Sequence, residues 1–227
     1  MPGPESGFVA LAVLLDLDGT LMDTFDVIFE TMNAAMAEAG ERPFVAEELR
    51  PLVGIPAVVQ MGMLRGIAGA RAESIANAYY RHFIAHVEGG VRLYPGVRRT
   101  ISVLAKRRLG TMTTRRADVA RLMLRVAGID RHFRAIVGGD EVDRPKPNPD
   151  LPLHAAKAVG AAPVNCVVVG DSPVDVQAGR AAGMRTVAAT YGYGDLAALR
   201  DARPHAEIAS FSELPRVLAA LEHRPTS

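Results

Sequence analysis

A chain of 227 residues, with 49% apolar and 22% charged side chains, has the composition of an ordinary soluble globule; it suits one large domain or two smaller ones, burying roughly 70% of the unfolded surface. A formal net charge of +1 gives no basis for binding nucleic acid or an anionic membrane. The single cysteine, Cys166, excludes an intrachain disulfide framework and favours a reducing compartment.

Residues 1–7 read as a loose tail. No basic residue precedes the apolar run that follows, and that run ends in a carboxylate, so a signal peptide is not expected. Residues 8–15 have the length of a fully buried strand and are too short to span a membrane. The run closes in Asp16 and Asp18, followed by Gly19 and Thr20. At a period of two the carboxylates share a side if the strand continues, and Gly19 permits a sharp turn. Two like charges about 4 Å apart repel by roughly 4 kcal/mol at a surface-like dielectric. Such a pair calls for a cation, or for one carboxyl to keep its proton. Both solutions suit phosphoryl transfer, although the octet VLLDLDGT alone also fits a strand ending in an ordinary Asp-Gly turn.

Asp23 or Thr24 is the expected N-cap of a helix in which Phe25, Ile28, Phe29, Met32, Ala35 and Met36 recur at helical spacing up to Gly40. Further helical segments are expected at 45–49, 57–64 and 71–87, with no strand candidate between Thr24 and Glu88. A strand followed by consecutive helices breaks simple alternation, so residues 22–93 read as an inserted helical domain, with 8–21 and 94–227 forming the core. Its methionines and aromatics read as packing residues, and Arg65, Arg81 and His86 as solvated.

Gly89-Gly90 and Tyr94-Pro95-Gly96 bracket the exit from the insert. Alternation then begins. Helices are expected at 97–105, 117–127, 149–159, 174–182 and 214–221, and strands at 109–113, 135–137, 164–169, 185–189 and 206–208. This rhythm predicts an α/β fold with a parallel, doubly wound sheet, whose ligands bind at the carboxyl ends of strands.

Three further strand or loop ends carry polar groups. Thr113-Thr114-Arg115 offers hydroxyls and backbone N–H groups for phosphate oxygens, though strands often end in threonine. Lys146 lies among Pro145, Pro147 and Pro149, in a chain whose only other lysines are Lys106 and Lys157. A compact ammonium on stiffened backbone suits a carboxylate–phosphate cluster, and equally a proline-rich linker with a solvated lysine. The strand 164–169 runs into Gly170-Asp171, with Asp175 four residues on; Asp171 can bind a cation and Asp175 support it, or Asp171 and Ser172 can cap the next helix.

In this order, DLDGT, a strand-end Thr, a Lys in a proline-rich loop and GDSPVD resemble the motifs of the haloacid dehalogenase-like (HAD) phosphohydrolases along essentially the whole chain. GTLMDT, LVGIP and LYPGV are most similar to phosphoglycolate phosphatases and their pyrophosphatase relatives. The resemblance implies a Rossmannoid core with the insert as a helical cap. It implies a Mg²⁺-dependent phosphatase acting on a small phosphorylated metabolite such as 2-phosphoglycolate; the missing targeting signals and the cysteine usage point to the cytoplasm, and the net charge to neither nucleic acid nor membrane as partner. Asp16 is then the nucleophile, forming an aspartyl-phosphate, and Asp18 the general acid/base. Mg²⁺ is then held by the Asp16 side chain, the Asp18 main-chain carbonyl and Asp171, supported by Asp175; Thr113, Thr114 and Lys146 hold phosphate. Asp18 needs a raised pKa for this role, which a neighbouring carboxylate supplies. Specificity falls to residues facing the site from the insert, around 53–56 and Arg65. Thr114 stands where the family commonly has Asn, which bears on substrate class. A pyrophosphatase, a sugar-phosphate phosphatase, a β-phosphoglucomutase-type mutase and a non-catalytic HAD-like binding module are the alternatives.

Overall fold

Strand β1, Ala12–Leu15, is buried along its whole length, as an unbroken AVLL run in a central parallel strand must be. It belongs to a computed structural model that describes residues 10–223; the expected tail at 1–7 and the first two residues of the expected strand, Phe8 and Val9, lie outside the described residues. Strands β2 (Leu109–Thr111), β3 (Cys166–Gly170), β4 (Arg185–Ala189) and β5 (Ala206–Ile208) complete one sheet of order β2-β1-β3-β4-β5, parallel throughout. Leu15 stands opposite both Thr111 and Val169, so the carboxyl ends of the three neighbouring strands are level. Side chains alternate: Val13 and Leu15 enter the core on one face, Ala12 and Leu14 on the other.

Between β1 and β2 run α1 (Phe25–Glu38), α2 (Ala46–Leu49), α3 (Ala57–Arg65), α4 (Gly69–Glu88) and α5 (Val97–Leu104). The first and last of the four inserted helices, α1 and α4, pack along each other through faces that include Ile28, Met32 and Met36 on one, and Ile75, Tyr79 and Phe83 on the other. The remaining helices are α6 (Ala117–Val126), α7 (Asp150–Val159), α8 (Pro173–Ala181), α9 (Leu196–Asp201) and α10 (Leu214–Glu222). Apolar residues of α5, α6 and α10 fill one face of the sheet and those of α7 the other, which makes it doubly wound.

Two expectations are corrected, and one helix is added to those expected. Residues 135–137 form no strand ladder, only a single bridge from Ala135 to Gly110. Backbone bonds still cross here, from the Thr111 N–H to the Ala135 carbonyl at 3.1 Å and from the Thr113 N–H to the Val137 carbonyl at 3.4 Å, but the Val137 N–H turns to the Thr111 hydroxyl at 2.7 Å, which donates back to the Val137 carbonyl at 3.0 Å. Helix α9 was not expected; it is a short turn started by Asp195, whose carboxylate accepts the Ala198 N–H at 2.8 Å. Arg65 is not on a solvated face. Its guanidinium pairs with Glu48, donates to the Pro43 carbonyl at 2.7 Å and lies 4.6 Å over the Phe44 ring. Arg81 and His86 are exposed, as expected.

Candidate active site

Because β1 and β3 are neighbours with level ends, the residues that follow them meet. The Asp16 N–H continues the ladder by donating to the Val169 carbonyl at 3.0 Å, and Asp171 follows Gly170 at the end of β3. Asp175 lies in the first turn of α8, where Pro173 opens the helix and the Asp175 carboxylate accepts from the Ser172 N–H (3.1 Å) and hydroxyl (2.8 Å). The proline-flanked loop brings Lys146 under both: its ammonium donates to Asp16 at 3.1 Å and to Asp175 at 2.5 Å. All four side chains are buried.

One carboxylate oxygen from each of Asp16, Asp171 and Asp175 can be chosen so that all lie within 4.8 Å of one another. Three ionised carboxylates against one ammonium leave an excess of two buried negative charges, which low-dielectric surroundings tolerate poorly. The titration behaviour follows. Burial holds the Asp16 carboxyl well above its ordinary range; Lys146 offsets part of this, while Asp175, Asp171 and Asp18 add to it. Burial, then the charge of Asp175, pushes Asp171 up to about 7, against the Tyr193 N–H and the Thr20 hydroxyl that bond its ionised form. Burial alone would lower the Lys146 pKa, but Asp16 and Asp175 outweigh it and raise it. Hard oxygen donors with two charges to neutralise fit a divalent cation of the Mg²⁺ type.

The backbone around Asp171 is built for close approach. Gly19 adopts φ +79°, and a Cβ there would lie 2.1 Å from an Asp171 carboxylate oxygen; one on Gly192 would lie 2.3 Å from the Asp171 Cβ.

Asp18 points elsewhere. Strand geometry ends at Leu15, and the chain then winds so that the Leu17 carbonyl accepts from Thr20, Leu21 and Met22. The Asp18 carboxylate is gripped by Arg115, Nε at 2.5 Å and Nη2 at 2.9 Å, and by the Thr24 hydroxyl at 2.5 Å. The groups bonded to Asp18 are thus a guanidinium and a hydroxyl, not the neighbouring carboxylate expected from the sequence. Arg115 has a third attachment, Nη1 to the Tyr79 hydroxyl at 3.0 Å, and lies 3.6 Å over the Phe83 ring, so a core loop and helix α4 meet on this side chain. Burial pushes the Tyr79 hydroxyl up to about 12.

Thr113 is buried, its hydroxyl accepting the Arg115 N–H at 3.2 Å. Thr114 lines a cleft with Asp18 and Arg115; Val53, Gly54, Ile55 and Pro56 face it from the insert. Arg65 does not line that cleft, being held by Glu48 and Phe44. Gln60, Tyr79 and Tyr80 do, and were not singled out from the sequence. Gln60 is fixed by donating to the carbonyls of Leu52 (2.8 Å) and Ile55 (2.9 Å).

A family model described as haloacid dehalogenase-like hydrolase matches residues 13–189. The phosphoglycolate phosphatase of Xylella fastidiosa is 34% identical over 199 residues, 84% of each chain. Pyrophosphatase PpaX of Listeria welshimeri is 31% identical over 171 residues, 74% of this chain and 77% of that one. Among solved structures, a hydrolase from Pseudomonas syringae shares the fold with a TM-score of 0.82 at 24% identity, over 93% of this chain and 99% of that one. CbbY from Rhodobacter sphaeroides, in complex with xylulose-(1,5)bisphosphate, gives a TM-score of 0.79 at 25% identity, over 90% and 96%.

Proposed function

The chain belongs to the haloacid dehalogenase-like hydrolases and is a phosphatase of that family; on that premise we propose that it hydrolyses a small phosphomonoester, 2-phosphoglycolate or a close relative, through an aspartyl-phosphate on Asp16. The observation that carries the reading is the buried cluster of Asp16, Lys146, Asp171 and Asp175 at the level ends of β1 and β3. Mg²⁺ is the proposed cofactor, held by the Asp16 and Asp171 side chains and the Asp18 main-chain carbonyl, with Asp175 orienting Lys146 and the site. When bound, it supplies charge neutralisation for phosphoryl oxygens.

In the first step an Asp16 carboxylate oxygen bonds to phosphorus, and the bond from phosphorus to the leaving oxygen breaks. Asp18 gives that oxygen a proton. In the second, Asp18 takes a proton from water as the water oxygen bonds to phosphorus, and the bond from phosphorus to Asp16 breaks to release inorganic phosphate. The Lys146 ammonium and the Thr113 hydroxyl hold the phosphoryl oxygens, with Thr114 beside the leaving group. Asp18 accepts three hydrogen bonds, two on Oδ1 and one on Oδ2, which leaves one lone pair on Oδ2 to carry the proton.

Residues 22–93 act as the cap in this reading, and 10–21 with 94–223 as the described part of the core. The two crossings between them run side by side: the Tyr94 N–H donates to Leu21 at 3.0 Å and the Asp23 N–H to Arg92 at 2.9 Å. The cleft beneath is narrow, about 30 Å³, and in this reading the insert lifts to admit a phosphomonoester. No helix among the described residues is long and apolar enough to cross a membrane. A cytoplasmic placement is supported by the lone, buried Cys166.

The likeness to a pyrophosphatase at 31% identity favours pyrophosphate as the second reading. The test is phosphate release with Mg²⁺ from 2-phosphoglycolate, pyrophosphate, sugar phosphates and nucleotides, with Asp16→Asn as control. One clear preference, lost in the folded control, is expected. Undiminished turnover in Asp16→Asn, or silence across the panel from folded, Mg²⁺-binding protein, overturns the reading.

A further inference from the structure

The loop after β4, Thr190-Tyr191-Gly192-Tyr193-Gly194, lies against Asp171 and against both crossings into the insert. The Tyr193 N–H donates to an Asp171 carboxylate oxygen at 2.8 Å. The hydroxyl of the same residue accepts the N–H groups of Thr24 (2.5 Å) and Phe25 (3.0 Å) and donates to the Asp23 carboxylate at 3.0 Å. Those are the residues at which the chain leaves the core and helix α1 begins, and the Tyr193 ring packs on Phe25 at 5.9 Å.

Tyr191 repeats the arrangement on the return crossing. Its ring meets that of Tyr94 at 4.9 Å, and its hydroxyl donates at 2.8 Å to the carbonyl of Thr20, whose own hydroxyl donates to Asp171 at 3.0 Å. No slack separates the loop from the carboxylate: a Cβ on Gly194 would lie 2.1 Å from the Asp171 carbonyl oxygen, and one on Gly192 2.3 Å from the Asp171 Cβ.

We propose that Tyr193 is a positioning residue that ties the Asp171 carboxylate to the hinge of the helical insert, so that cation binding at Asp171 and the position of the insert are coupled. One residue holds the carboxylate with its peptide N–H and the first two hinge amides with its phenol, and a rigid ring with only two side-chain torsions transmits displacement rather than absorbing it. By linkage, whatever the cation does to the hinge the hinge does to the cation. The inference rests on the proposed cation site.

Tyr193→Phe keeps the ring on Phe25 and the peptide N–H on Asp171 and removes only the phenol oxygen. Calorimetric titration with Mg²⁺, and amide exchange at Thr24 and Phe25 read by NMR with and without Mg²⁺, test it; the amides of β3 serve as the reference for global stability. In the unsubstituted protein Mg²⁺ should slow exchange at both hinge amides. In Tyr193→Phe that response should vanish, and the Mg²⁺ dissociation constant should rise about fivefold, while β3 exchange is unmoved. An unchanged hinge response and an unchanged dissociation constant in the variant overturn the coupling and leave the cation site standing. Absence of Mg²⁺ binding by the unsubstituted protein overturns both.

Discussion

Lys146 is the residue on which the charge balance of the site turns. It is buried, bonded to Asp16 and Asp175, and it is the only ammonium facing the acidic group among the described residues. Removing one partner of a buried ion pair leaves an uncompensated charge and costs about 3–5 kcal/mol. Lys146→Met should therefore lose roughly that much stability in urea titrations of metal-free protein, and recover part of it with Mg²⁺, besides losing turnover. The same balance sets a pH dependence. A carboxyl whose folded pKa is raised holds its proton more tightly in the folded chain; its stabilising share is complete below the ordinary value of 3.8 and lost as pH rises through about 7. Asp16 shifts in the same direction. Over those three units Asp171 alone accounts for at most about 4 kcal/mol, or on the order of 10 °C in melting temperature for a chain of this size. Metal-free protein should melt lower at pH 8 than at pH 5, with Mg²⁺ restoring the loss at pH 8, because a cation binds the deprotonated carboxylates. A melting temperature that rises with pH in the absence of metal would contradict the assignment. Asp16, Asp171 and Lys146 were legible because residue type and neighbours mark them: acids at the ends of apolar runs, and a lysine among prolines. Arg115 was legible only as a basic residue after two threonines, since its partner Asp18 is 97 positions away in sequence.

At the scale of the elements, the site depends on where strands stop. β1 ends at Leu15, and Gly19, at φ +79°, takes the chain back over Asp171. An alanine there meets both a left-handed backbone, costing about 1–3 kcal/mol, and an Asp171 oxygen 2.1 Å from its Cβ. Gly19→Ala should weaken Mg²⁺ binding about 10- to 100-fold, the range seen when support around a metal ligand is lost, and direct titration of the variant measures it. Retained affinity would show that Asp171 has room the packing denies. Strands β1 and β3 were legible because full burial leaves them as unbroken apolar runs, AVLL and CVVVG. Residues 135–137 carried the same apolar signal, yet the Thr111 hydroxyl replaces the backbone partner that a strand there would need. The loop bearing Tyr191 and Tyr193 was not singled out from the sequence; what its tyrosine hydroxyls hold lies more than 160 positions away, which no local pattern encodes.

For the whole molecule the question is whether the insert moves. It touches the core across the cleft through Tyr79 and Phe83 on Arg115, and through Gly54 near Ser172. The cleft between them, lined from the core by Asp18, Thr114 and Arg115, is narrow, about 30 Å³. On the proposed cap reading the insert parts from the strand ends and returns in each turnover, and a covalent tie across the cleft should stop it. Geometry offers one: a Cβ built on Gly54 lies 3.9 Å from the Ser172 Cβ, within the roughly 3.5–4.5 Å that a disulfide spans. The native Cys166 is buried and does not compete. Gly54→Cys/Ser172→Cys should lose at least about tenfold in turnover when oxidised, as expected when a lid motion that gates turnover is blocked, and regain it on reduction. Two features of the positions must be separated from the tie itself. Gly54 sits at φ +96°, which strains any other residue, and Ser172 donates to Asp175. Both effects persist in the reduced double variant, which is thus the proper reference, and Ser172→Cys alone isolates the second. Equal turnover in the oxidised and reduced forms would mean that substrate reaches Asp16 without the insert lifting, and the cleft, not the hinge, would then have to supply the path.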